Sequence, residues 1–223
     1  MVRNLILPRL KRLKGKIGVW TSGVNLSHFE RQGENCRKEM GLEGKKILIY
    51  HGVLSPNRGL QNVVRALDIL RNELPDLVFL LVGDGPGRSE LEELVRNLKL
   101  TEHVRFFGKV PYANIPPYLR SADLAILPFP NIKWWAVSSP LKLMEYLAVG
   151  IPVIATDIDA HRWVVNQTGG AVLANNDQPE SLAESIRYAL KNGVKTPDIE
   201  TLQSTISWSK QAQELQGFLE GLL

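Results

Sequence analysis

The sequence of 223 residues has a single cysteine, Cys36, so no disulfide can close within it. Nothing in it calls for an oxidising compartment. No apolar run approaches the ~20 residues that a bilayer-spanning helix needs. Leu5-Ile6-Leu7, cut by Pro8, is too short for a signal-peptide core. The expectation is a cytoplasmic protein. Acid is missing from the N-terminal region: none precedes Glu30, while Arg3, Arg9, Lys11, Arg12, Lys14 and Lys16 crowd into residues 1–16. Taking these six from the 27 basic residues leaves 21 against 23 acidic ones. The basic character belongs to this arm and not to a folded face, which argues against a nucleic-acid partner. It suits a frayed linker; the alternative is a weak, peripheral contact with an anionic membrane surface on the cytoplasmic side. A G-x-S-x-G hydrolase elbow is absent. The four histidines, His28, His51, His103 and His161, lack metal-ligand spacing. Neither a metal nor a cofactor is expected.

What is present alternates. Short β-rich runs at Lys16–Thr21, Lys45–Tyr50, Leu77–Val82, Val104–Phe107, Leu124–Leu127, Pro152–Ala155 and Ala171–Leu173 read as strands. Between them, Gly59–Leu74, Ser89–Leu98, Ile115–Arg120, Pro140–Val149, Asp159–Asn166 and Gln178–Lys191 read as helices, and Ser207–Leu222 as a final one. In Gly59–Leu74 the apolar residues Leu60, Val63, Val64, Leu67 and Leu70 recur at helical spacing. This alternation predicts an α/β fold, a Rossmann-like doubly wound parallel sheet. The expected division is a basic arm or linker at residues 1–16, a Rossmann-like domain at 17–206 and a terminal helix at 207–223.

Ligands of such sheets bind beyond the carboxyl ends of the strands. After the run ending at Tyr50, Gly52 admits close backbone approach and Arg58-Gly59 stands just before a helix N-terminus. A guanidinium beside free N–H groups suits a phosphate; the alternative is a surface arginine in a turn. Gly83-Asp84-Gly85-Pro86-Gly87-Arg88 looks like a dinucleotide fingerprint, but Arg88 stands where the third glycine belongs. Asp84 either caps the next helix or faces a ligand. In Ser138-Ser139-Pro140-Leu141-Lys142, Ser139 reads as the N-cap and Pro140 as the first helical residue. That helix end with Lys142 makes an anion site. Glu145 lies one turn on; the alternative is an i,i+3 surface pair with Lys142. Asp157-Ile158-Asp159 matches a short metal-binding pattern, but capping of the following helix is the better reading. His161 reads as a solvated helix residue.

Several of these segments together resemble the C-terminal half of a retaining glycosyltransferase of family 4, with the GT-B fold. They are Val19 to Asn25 with Phe29, Gly52 to Gly59, Gly83 to Pro86, Val104 to Val110, Asp123 to Pro128 and, most specifically, Ser138 to Ala155. The resemblance implies one half of a GT-B fold that binds a UDP-, GDP- or ADP-sugar. Arg58-Gly59 stands where the family has Lys-Gly on the donor diphosphate. Glu145 would hold the ribose hydroxyls. Gly108-Lys109-Val110 would pass backbone against the base. Arg58, Lys142 and the N–H groups at Ser139–Leu141 would stabilise the leaving diphosphate without a metal, with Gly52, Gly83, Asp84, Ser138 and Pro140 lining the donor.

Two positions depart from the family: Val53 replaces a second basic residue and Val137 replaces an acid. The family's N-terminal, acceptor-binding domain has no counterpart in this sequence. A missing domain or split subunit is therefore an expected partner, and hexose transfer the expected reaction. The alternatives are an interaction module that kept the fold but lost the chemistry, and an NAD-type oxidoreductase half.

Overall fold

The computed structural model describes residues 20–221. The basic arm and most of the expected strand Lys16–Thr21 lie outside the described residues. Trp20 and Thr21, within them, are not in a strand.

The strands are β1 (Lys46–His51), β2 (Leu77–Val82), β3 (Val104–Gly108), β4 (Leu124–Leu127), β5 (Val153–Thr156) and β6 (Ala171–Ala174). They form one parallel sheet in the order β3-β2-β1-β4-β5-β6. β2, β4 and β5 are buried at every residue, as parallel strands covered on both faces must be. The helices are α1 (Leu60–Leu70), α2 (Arg88–Asn97), α3 (Ile115–Arg120), α4 (Lys133–Ala136), α5 (Leu141–Val149), α6 (Asp159–Thr168), α7 (Pro179–Asn192), α8 (Ile199–Thr205) and α9 (Trp208–Glu220). α1 packs against α2 and α7, while α5 packs against α3 and α6.

The chain runs outward from β1 to β3, then returns to begin again at β4. The turning point lies between β1 and β4, which pair directly through Leu48↔Leu124 and Ile49↔Ala125. Such a reversal leaves a crevice at the carboxyl ends of the two strands. Asp123 pins the junction by accepting from Ile47 N–H and from Arg37 Nη2, both at 2.8 Å.

Three local expectations are corrected, and for Asp84 the capping alternative is removed. Pro140, not Ser139, is the N-cap of α5, and Leu141 is its first residue. The Ser139 hydroxyl is instead turned to Thr21, 3.2 Å from its Oγ1. Neither Asp157 nor Asp159 caps α6; the cap is Ile158, and both carboxylates pair with Arg162. A guanidinium within reach outcompeted the backbone. Gly87 is the N-cap of α2, and the Asp84 Oδ1 accepts from the adjacent Gly85 N–H at 2.8 Å. His161 is 1% exposed, not solvated, because α6 turns that face onto Phe129 and Thr156.

His161 Nδ1 donates to the Thr156 carbonyl at 2.8 Å, and burial pushes the imidazole down to about 4 from an ordinary 6.5. The folded protein thus holds fewer protons than the unfolded chain between those values. Its contribution is complete above pH 6.5 and is lost as pH falls towards 4. The expected size is up to about 3 kcal/mol. Urea denaturation at pH 7, 5.5 and 4 should show this slope, and His161→Leu should reduce it, leaving the part that the buried His51 contributes. An unchanged slope in the variant would place the titration elsewhere.

Candidate nucleotide-sugar site

The crevice is built by close backbone approach. Gly83, at φ +148°, lies so near the first loop that a Cβ there would sit 1.9 Å from the Gly52 carbonyl oxygen. Gly83 also bridges Gly108, which joins the loops after β1, β2 and β3. Gly52, at φ +120°, leaves room for a long side chain from α5. A Cβ at Gly52 would stand 2.4 Å from Lys142 Cε and 2.9 Å from its Nζ. Lys142 therefore lies across bare backbone at the mouth of β1.

Arg58 ends a 3-10 turn, Pro56–Arg58, that precedes α1. Its Nη1 donates to the Tyr50 hydroxyl at 3.3 Å, and the Tyr50 hydroxyl donates to Val53 O at 3.2 Å. Burial pushes Tyr50 up to about 12, against the pull of Arg58. The guanidinium carbon lies 5.2 Å from the Phe129 ring centre and 5.0 Å from that of Trp135. Neither Arg58 nor Lys142 forms an ion pair among the described residues. The Lys142 ammonium is held below its ordinary value, first by desolvation and then by the charge of Arg58, with Glu145 acting in the other direction. Two cations thus stand near each other at the carboxyl end of β1. The N–H groups of Lys142 and Leu143 have no acceptor among the described residues. Of the expected N–H donors at Ser139–Leu141, Pro140 has none and Leu141 N–H is used on Ser139 O at 3.0 Å, which leaves that of Ser139.

Glu145 is buried and does not pair with Lys142 on the surface. His51 Nε2 donates to its Oε2 at 2.9 Å, and the Tyr112 hydroxyl donates to its Oε1 at 3.4 Å. Tyr112 is stacked on His28, with ring centres 4.7 Å apart. His51 is buried, its backbone N–H donates to the Tyr146 hydroxyl at 3.1 Å, and its Nδ1 has no partner. Burial holds the imidazole below its usual range, the Glu145 bond opposes this, and the charge of Lys142 adds to it. A neutral ring with the proton on Nε2 satisfies Glu145 and leaves Nδ1 a bare lone pair.

Of the expected residues, Arg58, Lys142, Glu145, Gly52 and Gly83 converge. Gly108 joins through its bridge to Gly83; Lys109 is exposed and Val110 half-buried beyond it. Ser138 Oγ donates to Trp135 O at 2.9 Å, which shapes the loop before α5. His51, Tyr50, Tyr112, Phe129 and Trp135 are site residues that spacing did not reveal. The Gly83–Gly87 turn follows β2, whereas a dinucleotide fingerprint belongs in the first βα turn, so an NAD-type half has no support. Among the described residues no group of three or more His, Cys, Asp or Glu is placed to hold a metal ion.

Residues 33–209 match the glycosyl transferases group 1 family, and the chain belongs to it. The putative teichuronic acid biosynthesis glycosyltransferase TuaC of Bacillus subtilis is 29% identical over 227 residues, covering 96% of this chain and 53% of its own. A glycosyltransferase from Rickettsia africae superposes with a TM-score of 0.80 at 23% identity, over 99% of this chain and 61% of that one. Anabaena HepE, solved with UDP and glucose, does so at 0.75 and 18%, over 91% of this chain and 56% of that one. The fold is that of the C-terminal half of a GT-B glycosyltransferase. The chain spans between half and about three-fifths of the length of the curated relatives it matches first.

If Glu145 is the acceptor for the buried His51 ring, Glu145→Leu should destabilise the protein by about 1–3 kcal/mol through that unmet hydrogen bond. Glu145→Gln keeps an oxygen for His51 and should lose less. Chemical denaturation reads both. A loss under about 0.5 kcal/mol for Glu145→Leu, the size of a surface pair, would contradict the buried network.

Proposed function

We propose that this chain is the donor half of a retaining glycosyltransferase and binds a nucleoside diphosphate sugar at the β1/β4 crevice. The observation that carries the reading is the pair Arg58 and Lys142, two neighbouring cations with no carboxylate ion-paired to either among the described residues. A diphosphate meets that need, and the N-terminus of α5 adds two N–H donors. Glu145, fixed by His51 and Tyr112, takes the ribose hydroxyls. The backbone at Gly108–Val110 faces the base. Membership of the group 1 family supports a transferase, and the relative solved with UDP and glucose supports this class of ligand.

In the reaction, the bond between the anomeric carbon and the β-phosphate oxygen breaks, and a bond from that carbon to an acceptor hydroxyl forms. The acceptor proton leaves, and the nucleoside diphosphate departs with added negative charge. Arg58 and Lys142 hold that charge in place before it develops, a form of electrostatic preorganisation. In this reading no metal is needed; Asp157 and Asp159, already paired with Arg162, are not called upon. The transferred group is a hexose, and the acceptor is presented by a second domain or subunit.

Calorimetric titration with UDP and GDP tests the site. Arg58→Ala and Lys142→Ala should each weaken binding about ten- to a hundredfold, the scale of a charge-assisted hydrogen bond. Excess EDTA should leave the affinity unchanged. Full affinity in both variants would remove the diphosphate assignment, and a strict divalent-ion requirement would overturn the metal-free mechanism.

A further inference from the structure

Arg58 is not free to choose its direction. It sits on a turn of three residues, and its Nε is buried without a hydrogen-bond partner. Such a group is costly unless something else compensates it. The compensation on view is aromatic. Phe129 and Trp135 pack with ring centres 4.4 Å apart and planes tilted by 33°, and the guanidinium carbon stands about equally far from both. Cation–π attraction in a partly desolvated setting holds a guanidinium in place. Trp135 does a second thing. Its Nε1 donates to Asn57 O at 2.9 Å, the carbonyl of the residue that precedes Arg58. One indole therefore both touches the guanidinium and ties down the turn that carries it.

The two ends of this contact come from opposite sides of the crevice. Arg58 belongs to the loop after β1, and Trp135 to α4 in the loop after β4. Phe129 is itself fixed, since Thr156 Oγ1 donates to its carbonyl at 2.6 Å. The remaining polar contact of Arg58, Nη1 to Tyr50 Oη, fixes one more edge. What is left is the Nη2 edge.

We propose that Trp135 is a positioning residue for the donor site: it aims the free edge of Arg58 at the diphosphate while making no contact with the donor itself. The proposal rests on the donor-site reading given above. Lysine in place of Arg58 has no planar group to lie over the two rings, so the aromatic pair and the arginine belong together.

The experiment has a ligand-free and a ligand-bound arm, on this chain, with Trp135→Leu, Trp135→Phe, Arg58→Met and the double variant Trp135→Leu/Arg58→Met. Without ligand, the Arg58 Nε–Hε resonance in 15N spectra should be shifted upfield by the rings and slow to exchange. Trp135→Leu should abolish both features, and Trp135→Phe, which keeps a ring but loses the Asn57 bond, should keep the shift. With UDP as probe, Trp135→Leu should weaken binding about three- to tenfold, the scale of one cation–π contact. In the Arg58→Met background the same change should alter UDP affinity less than twofold, because there is no guanidinium left to aim. A general loss of structure would instead weaken binding equally in both backgrounds, and that result would overturn the proposal. So would UDP affinity at the wild-type level in Trp135→Leu. If neither UDP nor GDP binds the wild type, the donor-site reading falls, and an Arg58 resonance insensitive to Trp135→Leu overturns the positioning role on its own.

Discussion

The bare backbone at Gly52 is the constraint on which the site depends. Any side chain there would occupy the place of the Lys142 stem, since a Cβ would come within 2.4 Å of its Cε. The same backbone oxygen lies against Gly83, where a Cβ would stand 1.9 Å away. These close approaches draw the loops after β1 and β2 together and let α5 send a lysine across them. The sheet order makes the crevice, but the missing side chains let it be lined with charge.

One of the two charges, that of Arg58, is then held by aromatic groups rather than by a counter-ion. Arg58 is placed by Tyr50, Phe129 and Trp135; Lys142 is desolvated and feels Arg58. Two like charges kept near each other without an ion-paired acid are a standing repulsion, relieved when an anion enters. Glu145 does not relieve it as a salt-bridge partner, because its oxygens are engaged by His51 and Tyr112. The carboxylate is thereby set one turn beyond Lys142, the place at which the proposed function has it take the ribose hydroxyls and not the phosphates.

Much of this was legible in the sequence, and what was not has one cause. β2, β4 and α7 could be read from runs of apolar residues and helical spacing, since both report on burial along one element. Lys142 and Glu145 stood out because helix geometry puts them on one face. Their partners did not: His51 is 94 residues from Glu145, and Trp135 is 78 from Asn57. Local pattern carries no record of such pairings. The misplaced caps fail in the same way. Ser139 has the side chain of an N-cap, but Thr21 is the atom it meets; Asp157 and Asp159 have it too, but Arg162 reaches them first. His161 looked polar and hence solvated, until packing on Phe129 and Thr156 buried it. α4 and α8 were too short to show a period.

The central claim, that Lys142 and Arg58 form one anion site, is tested most directly on the Lys142 ammonium itself. NMR titration of the 13C-labelled lysine should show Lys142 depressed below an ordinary 10.5 in the free protein. Saturating UDP should raise it, because the added negative charge favours the protonated amine and outweighs the repulsion from Arg58. A Lys142 that titrates like a surface lysine, or one that UDP leaves unmoved while binding elsewhere, would contradict the account.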